Sequence, residues 1–321
     1  MVLISVLMPS YNHEKYISEA ITSVLNQSFQ DLELIIIDDC SKDNSRKVIE
    51  DYQAEDSRIR AFFHTENWGI AKTMNHCITE SKGEYISFIG SDDVWKASKL
   101  EKELQILEKD TSLVVWSEGI IIDENSVPTG ETFTQFNRAT SKKKSGDLFL
   151  ELIPQNFIFG QSLLFKKTFI DEIKFDERLK YFNDFEFVVD LSSNHSFFFI
   201  EEPLAKYRVH GKNSVSRDEK DWIKDGIILR EYFLQKYSNR LTRIQRASLF
   251  FFIASAFSSI GKPQIAKYFF LKATKTAYFR YVGLFCLILA LTSEKRYGSN
   301  FLLNSYLTLN SFLMRLTKKK R

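Results

Sequence analysis

Leu32-Glu33-Leu34-Ile35-Ile36-Ile37-Asp38-Asp39-Cys40-Ser41 is a short apolar run closed by two carboxylates and turn residues. It is too short for an ordinary helix and reads as a strand buried on both faces, the kind that parallel sheets contain. Upstream, Val2 to Met8 is a second such run, stopped by Pro9. Between the two, Ile17, Ala20, Ile21, Val24 and Leu25 recur at helical spacing and Asn26-Gln27-Ser28 closes the segment. The result is a strand-helix-strand unit. Downstream the alternation continues with a helix over Ser45 to Tyr52, a strand over Ile59 to His64 and a helix over Thr73 to Ser81. A strand over Tyr85 to Ile89 and a helix over Ala97 to Lys109 follow. This order predicts an α/β fold, a Rossmann-like and mostly parallel sheet with helices on both faces. Ligands then belong at the carboxyl ends of its strands.

After Leu113 the rhythm changes. Leu113 to Trp116 and Ile120 to Ile122 are strand-like, whereas Ser126 to Ser145 is polar, basic and aperiodic and reads as a mobile loop. A helix over Leu148 to Ile153, a strand over Ser162 to Phe165, a helix over Phe185 to Leu191 and a strand over Phe197 to Ile200 come next. From Asp221 onward the chain reads as helices with aromatic stripes. We expect three regions, 1–118, 119–218 and a helical 219–321.

A formal charge of +3 over 321 residues is too small to imply nucleic acid as a partner. Positive residues collect in Lys142-Lys143-Lys144 and in Lys318-Lys319-Lys320-Arg321. The odd, widely spaced Cys40, Cys77 and Cys286 fit neither a disulfide framework nor a zinc set, so a reducing compartment is expected. The N-terminus reads as a buried strand rather than a signal peptide. The most apolar late run, Tyr281 to Thr292, has roughly 12 residues against the roughly 20 that a membrane span needs.

Two adjacent carboxylates cannot be buried unpaired without a cost of several kcal/mol, so Asp38 and Asp39 belong at an open strand mouth. Alone, the segment is equally a turn and helix cap. A second pair, Asp92 and Asp93, follows another apolar strand through Gly90-Ser91, which brings two carboxylate pairs to one sheet edge. Clustered oxygen ligands suit Mg²⁺ or Mn²⁺ shared with substrate phosphates. The chain has neither a P-loop nor a Gly-x-Gly-x-x-Gly fingerprint, which removes the main support for ATP hydrolysis or dinucleotide binding.

Five ordered segments resemble the family 2 glycosyltransferases, which have a GT-A fold. They are Ser5 to Asn12, Ser23 to Ser28, Glu33 to Asp39 with Ser41, Asn67 with Gly69 and Asn75, and Lys82 to Ile86 leading to Ser91-Asp92-Asp93. The resemblance implies an inverting transfer of a sugar from a nucleoside diphosphate donor, a UDP-sugar, to a saccharide acceptor. It implies that Tyr11 packs on the donor base beside Pro9, that Asp39 contacts the base, and that Asp92 and Asp93 meet ribose and metal. Asp93 is then the direct ligand of Mn²⁺ or Mg²⁺. Two departures stand out: Gly90 where many members have an acid, and Met74 where many have an arginine, with Lys72 as a nearby substitute charge.

Tyr181-Phe182-Asn183-Asp184-Phe185-Glu186-Phe187 resembles the family's acidic segment at a helix start and nominates Asp184 as the catalytic base, with Glu186 in reserve. Asp184 also suits an N-cap. Tyr207 to Ser216 looks like another family element, which would bring Arg208 to the diphosphate and His210 to the metal; His210 equally suits a surface position. Two alternatives share many of these features: a metal-dependent nucleotidyltransferase and a non-catalytic sugar-nucleotide-binding scaffold. In the last third, Lys272, Lys275, Arg280, Lys295 and Arg296 interleave with aromatic stripes. That pattern suits helices resting on an anionic surface, and so a cytoplasmic protein peripheral to the inner membrane face, with a lipid-linked acceptor. The same stripes suit a helical core.

Overall fold

A computed structural model describes residues 2–211 and 218–277. The late apolar run, Cys286, Arg280, Lys295, Arg296, the terminal basic cluster and the segment after Gly211 as far as Ser216 lie outside these residues. The chain divides into two compact units, Met1–Arg217 and Asp218–Arg321.

The first unit opens with β1 (Ile4–Ser10), α1 (Ile17–Leu25), β2 (Leu32–Asp38), α2 (Ser45–Glu55), β3 (Ile59–Phe63), α3 (Ile70–Glu80) and β4 (Tyr85–Phe88). It continues with β5 (Val94–Trp95), α4 (Lys99–Leu107), β6 (Val114–Ile122), β7 (Pro128–Thr132), α5 (Phe133–Phe136) and α6 (Phe149–Leu152). The last elements are β8 (Leu164–Lys166), α7 (Asn183–Ser192) and β9 (Phe197–Arg208). One sheet of nine strands runs β3-β2-β1-β4-β8-β6-β9-β5, with β7 on the side of β6. The alternation visible in the sequence builds the β3-β2-β1-β4 portion, and all its pairings are parallel. Beyond it the sheet is mixed: β8 is antiparallel to β4 and β6, while β6 and β9 run parallel.

Burial follows from composition. Every residue of β2 is buried, and α1 lays Ile17, Ala20, Ile21 and Val24 into the same core. Glu33, inside β2, is tolerated because Ser5 Oγ donates to it at 2.6 Å, Lys82 N at 2.7 Å and Arg60 Nη1 at 3.0 Å. Burial alone would raise its pKa, and these donors turn the shift downward. Gly83 closes this knot: a Cβ there would lie 2.5 Å from Ser5 N, inside contact distance of backbone that cannot yield.

Three expectations are corrected. Ser126 to Ser145 is not a structureless loop but carries β7, α5 and a 3-10 turn at Thr140–Lys142. Its anchor is polar, since buried Glu118 accepts from Thr134 N at 3.1 Å and Thr134 Oγ1 at 2.5 Å and pairs with Lys143 Nζ at 2.7 Å. Hydrophobic periodicity has no access to such an anchor. Second, the two strand-like pieces around Gly119 are one strand, β6. Third, β9 does not stop at Ile200 but runs through Glu201-Glu202-Pro203 to Arg208, with register shifts around Glu118 that accommodate the proline.

Under β4 and β5 lies a fully buried ion pair. Lys99 Nζ sits 2.7 Å from Glu103 Oε2, donates to Ser87 Oγ at 2.9 Å and lies 4.0 Å from the centre of the Trp95 ring. Burial pushes the Glu103 carboxyl up to about 7 and the Lys99 amine down. Lys99→Met should therefore destabilise the fold by about 3–5 kcal/mol, because it strands the glutamate, whereas Lys99→Met with Glu103→Leu should lie close to wild type. Urea unfolding of the three proteins checks this ordering.

The second unit contains α8 (Glu219–Lys236), α9 (Arg243–Ser259) and α10 (Pro263–Thr276). Each start is legible: Asp218 caps α8, Thr242 and Gln245 form a capping box for α9, and Pro263 opens α10. Phe251, Phe252 and Phe270 form its core with Ala247, Ala266 and Ala273, and Arg230 lies 3.8 Å over the Phe252 ring. Part of the aromatic stripe is thus core. Ile265, Tyr268 and Leu271 of α10 remain exposed. No helix among the described residues is long and apolar enough to cross a membrane.

Candidate active site

The carboxyl ends of β1, β2 and β4 share one sheet edge because the three strands are parallel neighbours. Asp38 and Asp39 divide the two roles open to them. Asp38 is the turn brace: its carboxylate accepts from Ser41 N at 2.8 Å, Ser41 Oγ at 2.6 Å and Ser10 Oγ at 3.3 Å. Asp39 holds the adjoining wall, accepting from Trp68 N at 2.7 Å and Gly69 N at 2.9 Å and meeting His64 Nδ1 at 2.8 Å. A carboxylate has about four lone-pair sites, and these three contacts leave Oδ2 one more acceptor position. Trp68 stacks on His64 at 3.8 Å, and Lys72 Nζ lies 4.1 Å over the Trp68 ring. Lys72 therefore stands at this wall, although on the tryptophan rather than in place of the arginine that Met74, now buried, replaces. Across from it Pro9 is half-buried and Tyr11 is 44 % exposed, open to stacking.

At the end of β4 the second pair also splits. Asp92 Oδ2 lies 3.1 Å from His210 Nε2 and 3.9 Å from His13 Nε2. Burial works against its charge, but the His210 hydrogen bond and the neighbouring histidines hold its pKa below the usual range. Asp93 is more deeply placed: Oδ1 accepts from Arg208 N at 2.9 Å, while buried Oδ2 has no hydrogen-bond partner. Burial, then the Asp92 charge, push its carboxyl well up. The expected order of the pair is thereby changed, since Asp92 rather than Asp93 is the carboxylate gathered with imidazoles. Gly90 explains the missing acid: a Cβ there would lie 2.8 Å from both Asp92 Oδ1 and Asp93 Oδ2. A side chain at 90 would have to displace these two carboxylate oxygens.

Arg208 has a different task from the diphosphate contact expected of it. It is 1 % exposed and donates through Nε to Asp92 O at 2.7 Å, through Nη1 to Ser126 Oγ at 2.8 Å and through Nη2 to Glu19 Oε2 at 2.6 Å. It clamps the Asp92-Asp93 turn to α1 and to the segment before β7.

Asp184 is exposed on the first turn of α7, where Phe182, not Asp184, occupies the capping position. Glu186 is buried and accepts from Asp176 N at 3.2 Å, so the reserve base is a structural residue. The helix is tied to the end of β4 by rings: Phe187 stacks on Phe175 at 4.3 Å and meets Phe88 edge-on at 5.6 Å. Asn75 holds the preceding loop in both directions, donating to Phe175 O at 3.0 Å and accepting from Phe175 N at 2.9 Å.

Sequence reasoning missed His13 and Glu19. His13 had a signal, because it stands in the first loop after β1, at the edge where ligands gather. Glu19, on a helix, had none.

A half-parallel sheet that collects paired carboxylates, imidazoles and an open aromatic at one edge is that of a glycosyltransferase of the GT-A fold. Residues 5–172 match the sequence profile of Glycosyl transferase family 2, and the chain belongs to that family. It is 43 % identical over 105 residues to TuaG of Bacillus subtilis, covering 33 % of this chain and 42 % of TuaG. It is 30 % identical over 255 residues to the glycosyltransferase GlyG of Streptococcus pneumoniae, covering 74 % of this chain and 80 % of GlyG. The chain thus spans less than half of TuaG and most of GlyG. Residues 1–349 of TarS from S. aureus, solved with UDP-GlcNAc, share the fold with a TM-score of 0.66 at 18 % identity, over 97 % of this chain and 92 % of that one. The mannosyltransferase PcManGT of Pyrobaculum calidifontis, solved with GDP-Man and Mn²⁺, has a TM-score of 0.56 at 15 % identity, over 96 % and 86 %.

Proposed function

We propose that this protein transfers a sugar, with inversion, from a UDP-sugar to a saccharide acceptor. The carrying observation is the carboxylate pair at the end of β4: Asp92 lies among two histidines and Asp93 Oδ2 is buried without a hydrogen-bond partner. An orphaned carboxylate oxygen beside a donor set of nitrogen and oxygen fits Mn²⁺ or Mg²⁺, held by Asp92, His210 and Asp93. Bound there, the ion neutralises charge on the departing diphosphate. Tyr11 and Pro9 cover one side of the donor base, and the remaining acceptor position of Asp39 faces it, with Lys72 nearby. Asp184 takes the proton from the acceptor hydroxyl as that oxygen attacks the anomeric carbon opposite the diphosphate. Residues 1–118 are then the donor half and 119–218 the acceptor half.

UDP-GlcNAc on TarS and GDP-Man with Mn²⁺ on PcManGT support a nucleotide-sugar donor with a divalent ion. We further propose a lipid-linked acceptor and contact with the anionic inner membrane face. Exposed Ile265, Tyr268 and Leu271 support this, interleaved with Lys267, Lys272 and Lys275 on α10. Calorimetric titration with UDP, with and without Mn²⁺, tests the donor reading. UDP binding that strengthens with Mn²⁺, followed by release of UDP rather than pyrophosphate during turnover, is the expected result. Absence of UDP binding in both conditions would remove the reading.

A further inference from the structure

The histidine that the motifs do not include, His13, is built into the site through the loop that follows β1. Asn12, with φ 56°, turns the chain sharply after β1. That turn is bolted to the next loop: Asn12 N donates to Ser41 Oγ at 2.8 Å, Lys42 N to Asn12 Oδ1 at 2.7 Å, and His13 N to Ser45 Oγ at 3.0 Å. A non-glycine residue in the left-handed region carries a cost and persists where its surroundings over-determine it. Here it aims one imidazole. His13 Nδ1 meets Ser91 Oγ at 2.8 Å, and Nε2 is directed to Asp92 Oδ2. A ring nitrogen hydrogen-bonded to a fixed partner while its opposite nitrogen faces a carboxylate is the orientation that metal-binding histidines adopt.

The His210 ring stands at 89° to the His13 ring with centroids 5.5 Å apart, so the two imidazoles approach Asp92 from different directions. One donor atom each from His13, Asp92 and His210 lie within 4.8 Å of one another. Ligand atoms at right angles around an ion with bonds near 2.1 Å are roughly 3 Å apart, so a small inward movement of His13 completes the set. We infer that His13 is a metal ligand of this site, and that the two imidazoles make it prefer a first-row transition ion such as Mn²⁺ over Mg²⁺. Mg²⁺ takes oxygen ligands and keeps its waters, whereas imidazole nitrogen favours the transition series. This rests on the donor-site reading above and adds the choice of ion to it.

The test uses the full chain with UDP and Mn²⁺. Electron spin-echo modulation of bound Mn²⁺ counts ligating imidazole nitrogens, and free Mn²⁺ signal measures affinity against competing Mg²⁺. Two imidazole nitrogens in the wild type, one in His13→Gln, and a Mn²⁺ affinity lowered about tenfold or more with Mg²⁺ affinity changed less, are expected. Ser91→Ala, which removes only the Nδ1 partner, should weaken Mn²⁺ while keeping both nitrogens. A single nitrogen in the wild type, or two in His13→Gln, would overturn the inference and leave the donor-site reading standing. A wild type that binds UDP but no Mn²⁺ would overturn the metal reading as well. If His13→Gln does not fold, the wild-type count and Ser91→Ala still decide.

Discussion

Asp92→Ala is expected to lower sugar transfer by about 10³-fold. Its carboxylate lies against both His210 and His13, and it stands at the strand end where the diphosphate is proposed to lie. Removing it takes away the proposed anchor of the ion that would neutralise the departing group, and leaves the two imidazoles without the carboxylate they share. Asp93→Asn should behave differently. An amide at 93 keeps an oxygen for Arg208 N and still offers the proposed ion a neutral oxygen, while Asp92 keeps the negative charge. A smaller fall in rate with UDP affinity largely preserved is therefore expected. Steady-state rates and UDP titrations of both variants separate the roles, and equal losses would contradict the division of the pair.

Asp184→Asn is expected to reduce kcat by about 10²–10⁴-fold with donor binding unchanged, since it removes the proposed proton acceptor. The residue is exposed on the first turn of a helix whose buried side is fixed by Phe175, Phe187 and Phe88, so the substitution leaves the packing intact. Glu186→Gln gives the contrast: it alters the buried acceptor of Asp176 N and should lower stability more than rate. Full activity in Asp184→Asn would dismiss it as the base.

Residues 1–118 were legible because their signals are apolar runs of strand length, broken by helices with clean periodicity. Leu32 to Ile37 is buried throughout, and Asp92 and Asp39 lie where strand ends were expected. Past Leu113 the determinants are polar and distant in sequence. Glu118 anchors a segment through Thr134 and Lys143, and β9 continues through Pro203, where composition announces a stop. Lys142, Lys143 and Lys144 read as one charge run, yet they are held separately by Gln155, Glu118 and Glu151. Arg208 was placed at the right edge but given the wrong partner, because its link to Glu19 spans nearly the whole unit.

That link bears on how such enzymes can be recombined. Arg208 is the last residue of the last strand of the sheet, yet its guanidinium joins a side chain from the first helix to the backbone at Asp92. A chimera that kept residues 1–118 of this chain and took residues 119–218 from a relative would separate Glu19 from Arg208 and Asn75 from the loop at Phe175. The second half of this unit is therefore not a detachable cassette. Productive exchanges would have to carry Glu19, Ser126 and Arg208 across together, or change the second half one residue at a time.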